Sequence, residues 1–386
     1  MKVGLIRGAY LSQFEMQIYE QMKPEVELEA YKIMINRFDT GLVSVPIRKL
    51  HCIDDPATVI SPKLGFYFDL FLQATCGLDY YHLGLVKALA DRDIAHTMET
   101  FNAFSWQALQ AKRRYGTKLV VTVWENRPFA AERFGAKRRM KYEVLEGADL
   151  FLAMTPRVKD CLELEGADPA KIRVLPPGVN VERFKPRPRP EDLASEYGIR
   201  EDDFVILSVA TLRWEKGVFQ ILYAFKKLVK DTGSERLKLV FAGSGPAEKE
   251  LQKRIDRLGL RGRAVITRFP YDRMHEAYNL ADVFVLGSIP RPGWLEQFGY
   301  VLAEALASGL PVITTESGSI PEVVGECADL VPPADYLRMA HALRRLLEDE
   351  DRRRDLGRAG RERAEGRYDC RRVAAEIRNA YEELLA

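Results

Sequence analysis

Short apolar runs alternate with longer helical patterns along the whole chain. The clearest runs lie at residues 3–6, 118–123, 150–154 and 172–175 in the first half, and at residues 204–209, 237–241, 264–267, 283–286 and 311–314 in the second. Runs this short and this rich in β-branched and aliphatic residues are typical of strands buried on both faces. Their alternation with helical segments predicts βαβ units, so we expect an α/β fold with parallel sheets.

The segment 184–190 divides the chain into two parts. Its three prolines stand at every second position, which removes backbone donors and prevents a regular helix or a central strand. We expect an interdomain linker here, with a first domain at residues 1–183 and a second at residues 191–366. A length of 386 residues is typical of two such domains.

The composition narrows the class of protein. Apolar residues make up 47% of the chain and charged residues 30%, which excludes disorder, collagen and a membrane bundle. The 58 basic and 56 acidic side chains leave a formal charge of +2, so the totals give no reason to expect a nucleic-acid partner. The five cysteines are scattered without CxxC spacing, which is typical of reduced thiols.

The sequence contains no candidate for a membrane span. No apolar run approaches the roughly 18 residues that a spanning helix needs, and the apolar stretch at the start is too short for a signal peptide. We therefore expect cytoplasmic residence, with at most peripheral contact at the inner face of a membrane.

Residues 296–313 carry the most informative pattern. Glu296 and Glu304 flank a helix start near Gly299, and Gly309 precedes a strand. In a helix, this spacing would separate the carboxylates by about 12 Å at 1.5 Å per residue, close to the distance from the sugar to the ribose of a nucleotide sugar. The helix start offers unpaired N–H groups and a positive dipole end, which suit a diphosphate. By itself, the spacing also fits an amphipathic helix with two solvated glutamates.

This stretch resembles the donor-binding signature of the family 4 (group 1) retaining glycosyltransferases, E-x-F-G-x-x-x-x-E-A-x-A-x-G-x-P-V, and matches every quoted position. The resemblance implies the GT-B fold, in which two Rossmann-like domains with parallel sheets face a central cleft and the last helix (370–386) returns to the first domain. It also implies a metal-independent, retaining transfer of a hexosyl group from a nucleoside diphosphate sugar to an acceptor. The acceptor class, whether glycan, lipid-linked or small molecule, stays open.

The resemblance assigns roles within the signature. Glu296 corresponds to the glutamate that contacts the donor sugar, and Glu304 to the one that holds the ribose hydroxyls. The backbone amides of Phe298 and Gly299 correspond to those that face sugar and phosphate.

A basic loop at residues 210–217 resembles the family segment in which an arginine and a lysine neutralise the diphosphate. Lys216 matches the family lysine, whereas Thr211 stands where the arginine is usual. Arg213 projects to the same side of an extended segment as residue 211 and is the candidate replacement. Fixed cations here would stabilise the doubly charged leaving group that develops in the transition state.

Two further positions of the second half match the family's nucleotide site. Gly243 lies in a G-x-G-P turn after a predicted strand, where glycine lets the backbone approach a nucleotide; such turns are also common without a ligand. Arg268 falls where the family lodges the base through backbone groups, so the side chains do not identify the nucleotide.

The first half matches the family less closely. His96 lies at a predicted strand end and fits either a buried, hydrogen-bonded histidine or a substrate contact. Trp124 stands where the family has a sugar-contacting histidine, and it can pack in the interior or stack on a sugar. Glu125 is the nearest carboxylate. Gly8 is the one match to a glycine loop near phosphate and acceptor.

The densest basic clusters, 112–114 and 137–141, also lie in the first half. Such runs fit solvated helix faces or an anionic membrane surface. The resemblance implies no cofactor besides the nucleotide sugar, which is a co-substrate, and no metal, since we find no DxD motif in a strand-end loop. Two other functions remain open: a nucleotide-sugar epimerase or hydrolase on the same fold, and a non-catalytic sugar-binding relative.

Overall fold

The computed structural model describes residues 1–53 and 55–386. The chain divides into two compact units. Met1–Gly178 and Cys370–Ala386 form the first unit, and Val179–Asp369 forms the second.

The described residues of the first unit form one sheet of seven parallel strands. The strands are β1 (Lys2–Gly8), β2 (Glu27–Ile33), β3 (Ile47–Leu50), β4 (Ile94–Met98), β5 (Lys118–Val123), β6 (Leu150–Ala153) and β7 (Ile172–Val174). Their order is β3-β2-β1-β4-β5-β6-β7. The order reverses between β1 and β4, which places a ligand crevice at the carboxyl ends of those two strands.

Helices of the first unit follow most of these strands. They are α1 (Gln13–Glu20), α2 (Asp55–Ile60), α3 (Pro62–Cys76), α4 (Leu85–Ala88), α5 (Ala103–Tyr115), α6 (Gly135–Gly147) and α7 (Pro156–Leu164). Successive strand residues enter opposite faces of the core: Val120 packs on one side of the sheet and Val121 on the other. The continuous apolar runs of the sequence are explained by this two-sided burial.

The second unit, all of whose residues are described, has one sheet of six parallel strands. They are β8 (Phe204–Val209), β9 (Leu237–Ala242), β10 (Ala264–Thr267), β11 (Val283–Leu286), β12 (Val312–Thr315) and β13 (Ala328–Val331). The order is β10-β9-β8-β11-β12-β13. Here the order reverses between β8 and β11, so their carboxyl ends mark the second crevice.

The remaining helices complete the chain. Those of the second unit are α8 (Glu191–Glu196), α9 (Val218–Thr232), α10 (Glu248–Arg257), α11 (Met274–Asn279), α12 (Tyr300–Ala307), α13 (Ile320–Val324), α14 (Tyr336–Glu348) and α15 (Glu350–Tyr368). The last helix, α16 (Cys370–Leu385), packs in the core of the first unit through Val373, Ile377 and Tyr381. Short 3-10 turns lie at Pro169–Lys171, Trp214–Lys216 and Tyr271–Arg273.

The segment 184–190 belongs to the second unit, and the division between units falls earlier, after Gly178. The reason is that this proline-rich segment is anchored. Phe184 is fully buried and its ring lies edge-on to Tyr278, with centroids 5.7 Å apart. Arg189 forms an ion pair with Asp282 at 2.8 Å. The prolines thus exclude regular structure without making the segment a free linker.

The predicted runs coincide with strands of both sheets, but β2, β3, β4 and β13 lie outside them. β3 is an edge strand, and Arg48 and Lys49 at its centre are exposed. β2 begins with charged residues, Glu27 and Glu29. Pattern alone does not identify such strands, because one face or one end of them is polar.

Candidate functional site

The centre of the candidate site is an ion pair between residues that follow β8 and β11. Lys216 ends the 3-10 turn after β8, and its Nζ lies 2.7 Å from Oε2 of Glu296. The same Nζ lies 4.9 Å from the ring centroid of Trp294, a cation–π contact. Two sequence-predicted residues, 80 positions apart in the chain, therefore meet where the strand order of the second sheet reverses.

Glu296 is buried and held by several groups. The hydroxyl of Ser288 donates to its Oε2 at 2.6 Å, and the amide of Ser319 donates to its carbonyl at 3.0 Å. Gly318 has φ +58°, and a Cβ there would lie 2.1 Å from the carbonyl oxygen of Glu296. Only glycine fits this approach, so the loop after β12 fixes the position of the carboxylate.

Arg213 lies beside this pair but does not join it. Its Nη1 lies 3.7 Å from Oε1 of Glu215, and the side chain is 51% exposed. Arg291 reaches the same oxygen from the loop after β11, at 3.5 Å. No sequence motif marks Arg291; only the fold brings it to the basic loop. Lys216, Arg213 and Arg291 together give this strand-end region three cations.

Glu304 lies in α12 in a buried pocket of hydroxyl groups. Tyr278 donates to Oε2 at 2.7 Å, and Tyr271 donates to Oε1 at 3.1 Å. Burial raises the pKa of Glu304 to about 7, while the two hydroxyl donors and the charge of Arg183 oppose the rise. The two tyrosines are further site residues that the motifs did not reveal.

Two further predicted residues, Phe298 and Gly299, lie between Glu296 and Glu304 in the sequence. Gly299 precedes the first turn of α12, and Phe298 is buried against the rings of Tyr300 and Tyr368. The sequence predicted a helix start near Gly299, which is confirmed.

Two predicted nucleotide-site residues follow neighbouring strands. Gly243 follows β9, and its amide donates to the carbonyl of Thr267 at 2.8 Å. Arg268 follows β10 and extends to the surface, where it pairs with Glu248 at 2.9 Å. The side chain of Arg268 therefore takes no part in the role that the resemblance implies, in which backbone groups at this position contact the nucleotide base.

The first unit also places polar groups at the carboxyl ends of its central strands. Gly8 ends β1, and Trp124 and Glu125 follow β5. Trp124 packs partly against the core, and Glu125 binds Arg127 through two hydrogen bonds of 2.7 and 2.8 Å. Both backbone amides, at 124 and 125, donate to one oxygen of Glu99, at 3.1 and 3.2 Å.

His96 lies inside β4 and is fully buried, so it is not part of an open substrate pocket. Its Nδ1 shares a hydrogen bond with the hydroxyl of Tyr381 on α16, and its Nε2 with Thr122 at 2.7 Å. Burial, together with the charge of Arg7, holds the pKa of the imidazole well below its usual range. Of the two interpretations the sequence allowed, the structure supports the buried, hydrogen-bonded histidine.

The lysines of the two basic clusters pair with carboxylates inside the first unit, whereas the arginines at 113, 114, 138 and 139 are exposed. Each lysine is engaged by a carboxylate: Lys112 by Asp149 at 2.8 Å, Lys137 by Asp79, and Lys141 by Glu165 at 2.7 Å. Two of these lysines, at 137 and 141, are buried. Lysines at these positions suggested an exposed basic patch, but both lie on the side of α6 that faces the protein interior.

Residues 1–53 and 55–386 contain neither a cluster of candidate metal ligands nor a helix that could span a membrane. No group of three or more His, Cys, Asp or Glu side chains there is arranged to hold a metal ion. In the same part of the chain, no helix combines the length and the apolar character needed to cross a membrane.

Glu99 gives the first unit a testable pH response. Burial raises its pKa to about 8, the charge of Glu125 adds to the rise, and the amides at 124 and 125 oppose it. A carboxyl group whose pKa is raised from its usual 4.5 stabilises the fold fully below that value and loses this stabilisation as pH rises towards 8. A tenfold difference in proton affinity between the folded and unfolded chain corresponds to about 1.4 kcal/mol.

We therefore expect Glu99→Gln to flatten the pH dependence of thermal unfolding between pH 5 and 8 and to raise Tm most at pH 8. Glutamine retains a carbonyl that accepts the two amides. Calorimetry over this pH range is the measurement, with exposed Glu146→Gln on α6 as the control. An unchanged pH profile for Glu99→Gln would contradict the assignment.

Two family models match the sequence. The model described as glycosyl transferases group 1 matches residues 190–363, and the model described as glycosyltransferase family 4 matches residues 60–183. The matched ranges contain all the predicted site residues except Gly8.

Curated relatives share about a third of the aligned residues. A sulfoquinovosyl transferase of Arabidopsis thaliana is 30% identical over 240 residues, covering 60% of this chain and 44% of that protein. A D-inositol 3-phosphate glycosyltransferase of Streptomyces bingchenggensis is 32% identical over 260 residues, covering 63% of this chain and 54% of that protein. The chain thus spans about half the length of the curated relatives it matches.

Solved structures show the same fold over the whole chain. HepE of Anabaena, solved in complex with UDP, superposes with a TM-score of 0.79 at 18% identity and covers 99% of this chain and 100% of that one. Sucrose-phosphate synthase of Thermosynechococcus elongatus gives a TM-score of 0.74 at 21% identity, covering 100% and 99%. The architecture is therefore GT-B, as expected.

Proposed function

Because the chain belongs to the family 4 (group 1) glycosyltransferases, we propose that it transfers a hexosyl group from a nucleoside diphosphate sugar to an acceptor. The observation that carries the proposal is the meeting of Lys216 and Glu296 at the carboxyl ends of β8 and β11. That position is the ligand crevice of an open α/β sheet. An ammonium group paired with a buried carboxylate there suits a substrate that joins a diphosphate to a sugar.

The cations of the second unit would act on the leaving group. When the bond between the anomeric carbon and the diphosphate breaks, negative charge grows on the leaving phosphate. Lys216, with Arg213 and Arg291, would stabilise that charge more in the transition state than in the ground state. The amides at the start of α12 would contribute in the same sense. With these groups in place, the transfer would need no metal ion.

We propose that the anomeric configuration is retained. In the step, the acceptor oxygen bonds to the face that the diphosphate leaves, and the acceptor proton passes to the departing phosphate oxygen. Glu296 would hydrogen-bond to the sugar hydroxyls and orient the ring, without forming a bond to carbon. Its bonds from Lys216 and Ser288 hold it ready for this role.

Glu304 would bind the ribose, which predicts a pH dependence of nucleotide binding. Its carboxylate accepts ribose hydroxyls when ionised, and its pKa is about 7. If the ionised form is the competent one, the apparent Kd should rise about tenfold per pH unit below the pKa. We expect UDP to bind more tightly as pH rises from 6 to 8, with little change above pH 8.

Calorimetric titration of UDP from pH 6 to 9 measures this dependence. The Glu304→Gln variant should bind UDP more weakly, and its affinity should no longer change between pH 6 and 8. Tyr278→Phe removes one of the hydroxyl donors that lower the pKa of Glu304, so the midpoint should move to higher pH. If the affinity of Glu304→Gln for UDP still changes over this pH range, the pH dependence arises from another group, such as the phosphates of the nucleotide.

The proposed activity is tested by incubating the protein with UDP-, GDP- and ADP-sugars in the presence and absence of candidate acceptors. UDP-glucose comes first because the structural neighbour HepE was also solved with it. Release of nucleotide that depends on an acceptor, with a product anomer matching that of the donor by NMR, supports a retaining transferase. Release without an acceptor favours a hydrolase or epimerase, and binding without release favours a non-catalytic relative.

A further inference from the structure

The loop between β5 and α6 of the first unit, residues 124–134, has a strained backbone; it is called the β5 loop below. Phe129 and Ala131 both have φ +61°, a left-handed conformation that residues with a Cβ rarely adopt. Residues held in this way are strained, and they persist only where the surrounding structure fixes them. Among the other described residues, positive φ outside glycine occurs at three positions, which are Tyr80, Glu99 and Ala334.

A buried ammonium group fixes the β5 loop in this conformation. Lys141 on α6 is 1% exposed, and its Nζ lies 2.7 Å from Oε1 of Glu165. The same Nζ donates to Glu132 at 2.9 Å and to the carbonyl of Ala130 at 3.1 Å, so three partners engage the three N–H groups of the ammonium. Oε1 of Glu165 also accepts the amide of Phe129 at 2.6 Å. The strained segment is therefore held through its own backbone.

The result of this conformation is an exposed aromatic ring. Phe129 is 52% exposed, so about half of its side chain gains no free energy from burial. A positive φ adds a further cost that glycine would avoid. Packing within the first unit therefore does not account for a phenylalanine at this position. Backbone strain of this kind is typical of residues that contact a ligand.

The β5 loop borders the ligand crevice of the first sheet. β5 is the neighbour of β4, and the strand order reverses at β4. The amides of Trp124 and Glu125 at the start of the loop donate to Glu99, which directly follows β4. Arg127 in the same loop is 32% exposed and pairs with Glu125 at 2.7 Å. The loop thus offers an aromatic ring together with groups that hydrogen-bond to hydroxyls.

We propose that Phe129 is a specificity-determining residue of the acceptor site and stacks on a pyranose ring of the acceptor. A pyranose has an apolar C–H face that packs on an aromatic ring, and a rim of hydroxyl groups that suits polar neighbours. Lys141 and Glu165 are positioning residues, because they hold the backbone that presents the ring. The acceptor role rests on the proposed transferase activity.

Ligand-observed NMR tests the proposal without requiring turnover. The probes are the methyl glycosides of glucose, galactose and mannose, with hexanol as an apolar alcohol that has no ring, each added to the full chain with UDP. We expect saturation transfer from the wild type to at least one glycoside. Phe129→Gly should bind that glycoside at least about tenfold more weakly. Phe129→Tyr keeps the ring and should stay within about threefold of the wild type.

Ala131→Gly is the matched control. It relieves the same kind of strain two positions away and leaves the ring in place. This variant should raise Tm by roughly 2–4 °C and bind glycosides like the wild type. Phe129→Asn provides a second variant without the ring, since asparagine tolerates a positive φ better than most residues. Tm of each variant shows whether a loss of binding reflects unfolding.

Equal glycoside binding by the wild type and the two variants without the ring would overturn the proposal, and so would a wild type that binds none of the glycosides. Binding of hexanol instead, lost in the same variants, would assign the ring to an aliphatic acceptor and overturn the sugar class. UDP binding and hexose transfer judge the proposed transferase separately. A chain that binds glycosides through Phe129 but transfers no hexose would refute the transferase and leave the ring as a sugar contact.

Discussion

Glu296→Gln is expected to lower kcat by roughly 10²–10³-fold, the range seen when one preorganised polar group of a catalytic site is removed. Glutamine preserves the shape of the side chain and one carbonyl oxygen but removes the negative charge. Lys216 then loses the carboxylate that lies 2.7 Å from its Nζ, and the sugar loses a charged acceptor. Both losses affect the groups on which charge develops in the transition state, the sugar and the leaving diphosphate. They should therefore lower kcat.

Nucleotide binding gives the contrast for this variant. Because Glu304 and its tyrosine donors are intact, the Kd for UDP should change by less than about threefold. Lys216→Ala should instead weaken both turnover and UDP binding, since the ammonium group would contact the diphosphate. In the double variant, the losses should be less than additive, as is usual for groups that act as a unit.

Steady-state kinetics with the active donor, and titration with UDP, provide these numbers. Glu348→Gln on α14, where the glutamate is exposed and pairs with Arg344, is the control and should behave like the wild type. A Glu296→Gln variant that retains roughly a third or more of the turnover would show that this carboxylate is not the sugar contact.

Gly217→Ala is expected to destabilise the second unit by about 3 kcal/mol or more, the range of the most damaging single substitutions. Gly217 has φ +68°, and a Cβ there would lie 1.8 Å from the carbonyl oxygen of Gly287. The clash would be between the turn after β8 and the end of β11. Neither backbone can move aside without disrupting the pairing of these two neighbouring strands. The turn also carries Lys216, so activity should fall as well.

Gly233→Ala is the matched control for this prediction. The two glycines stand at opposite ends of α9 and have similar φ values, +68° and +62°, but a Cβ at Gly233 would meet nothing within 4 Å. Gly233→Ala should therefore lower the free energy of unfolding by only about 1 kcal/mol, through backbone strain. In a unit of this size, Tm should fall by roughly 6–12 °C for Gly217→Ala and by about 2–4 °C for the control.

Calorimetry or thermal-shift measurements compare the two variants directly. Equal losses in Tm would mean that positive φ alone, and not the close approach of the two strand-end turns, explains the glycine at 217. Addition of UDP should raise Tm of the wild type by mass action, and Gly217→Ala should respond less because the turn that carries Lys216 is displaced.

The sequence by itself determined the α/β class, most strands of both sheets, and the chain positions of Lys216, Glu296 and Glu304. These features are local. Two-sided burial leaves a continuous apolar run such as 118–123, and a glycine before a helix marks where its amides are unpaired. A motif in one stretch of chain is visible without knowing what packs beside it.

The tertiary structure alone decided which polar groups meet. Strand order brings Lys216 to Glu296, and it brings Tyr278 to Glu304 from a different helix. His96 became an interior residue because α16 returns to the first unit and places Tyr381 on its ring. None of these pairings has a local signature, because contact across a sheet depends on the order of the strands and not on their spacing in sequence.

Burial separated residues that looked alike in the sequence. Lys137 and Lys141 point inward from α6 and pair with carboxylates, whereas Arg138 on the same helix is exposed. Conversely, the apolar residues of α3 have the composition of a core segment but lie at the surface. A pattern gives the face of a helix on which a residue lies. Only the fold decides whether that face meets protein or solvent, because the hydrophobic free energy depends on the area actually removed from water.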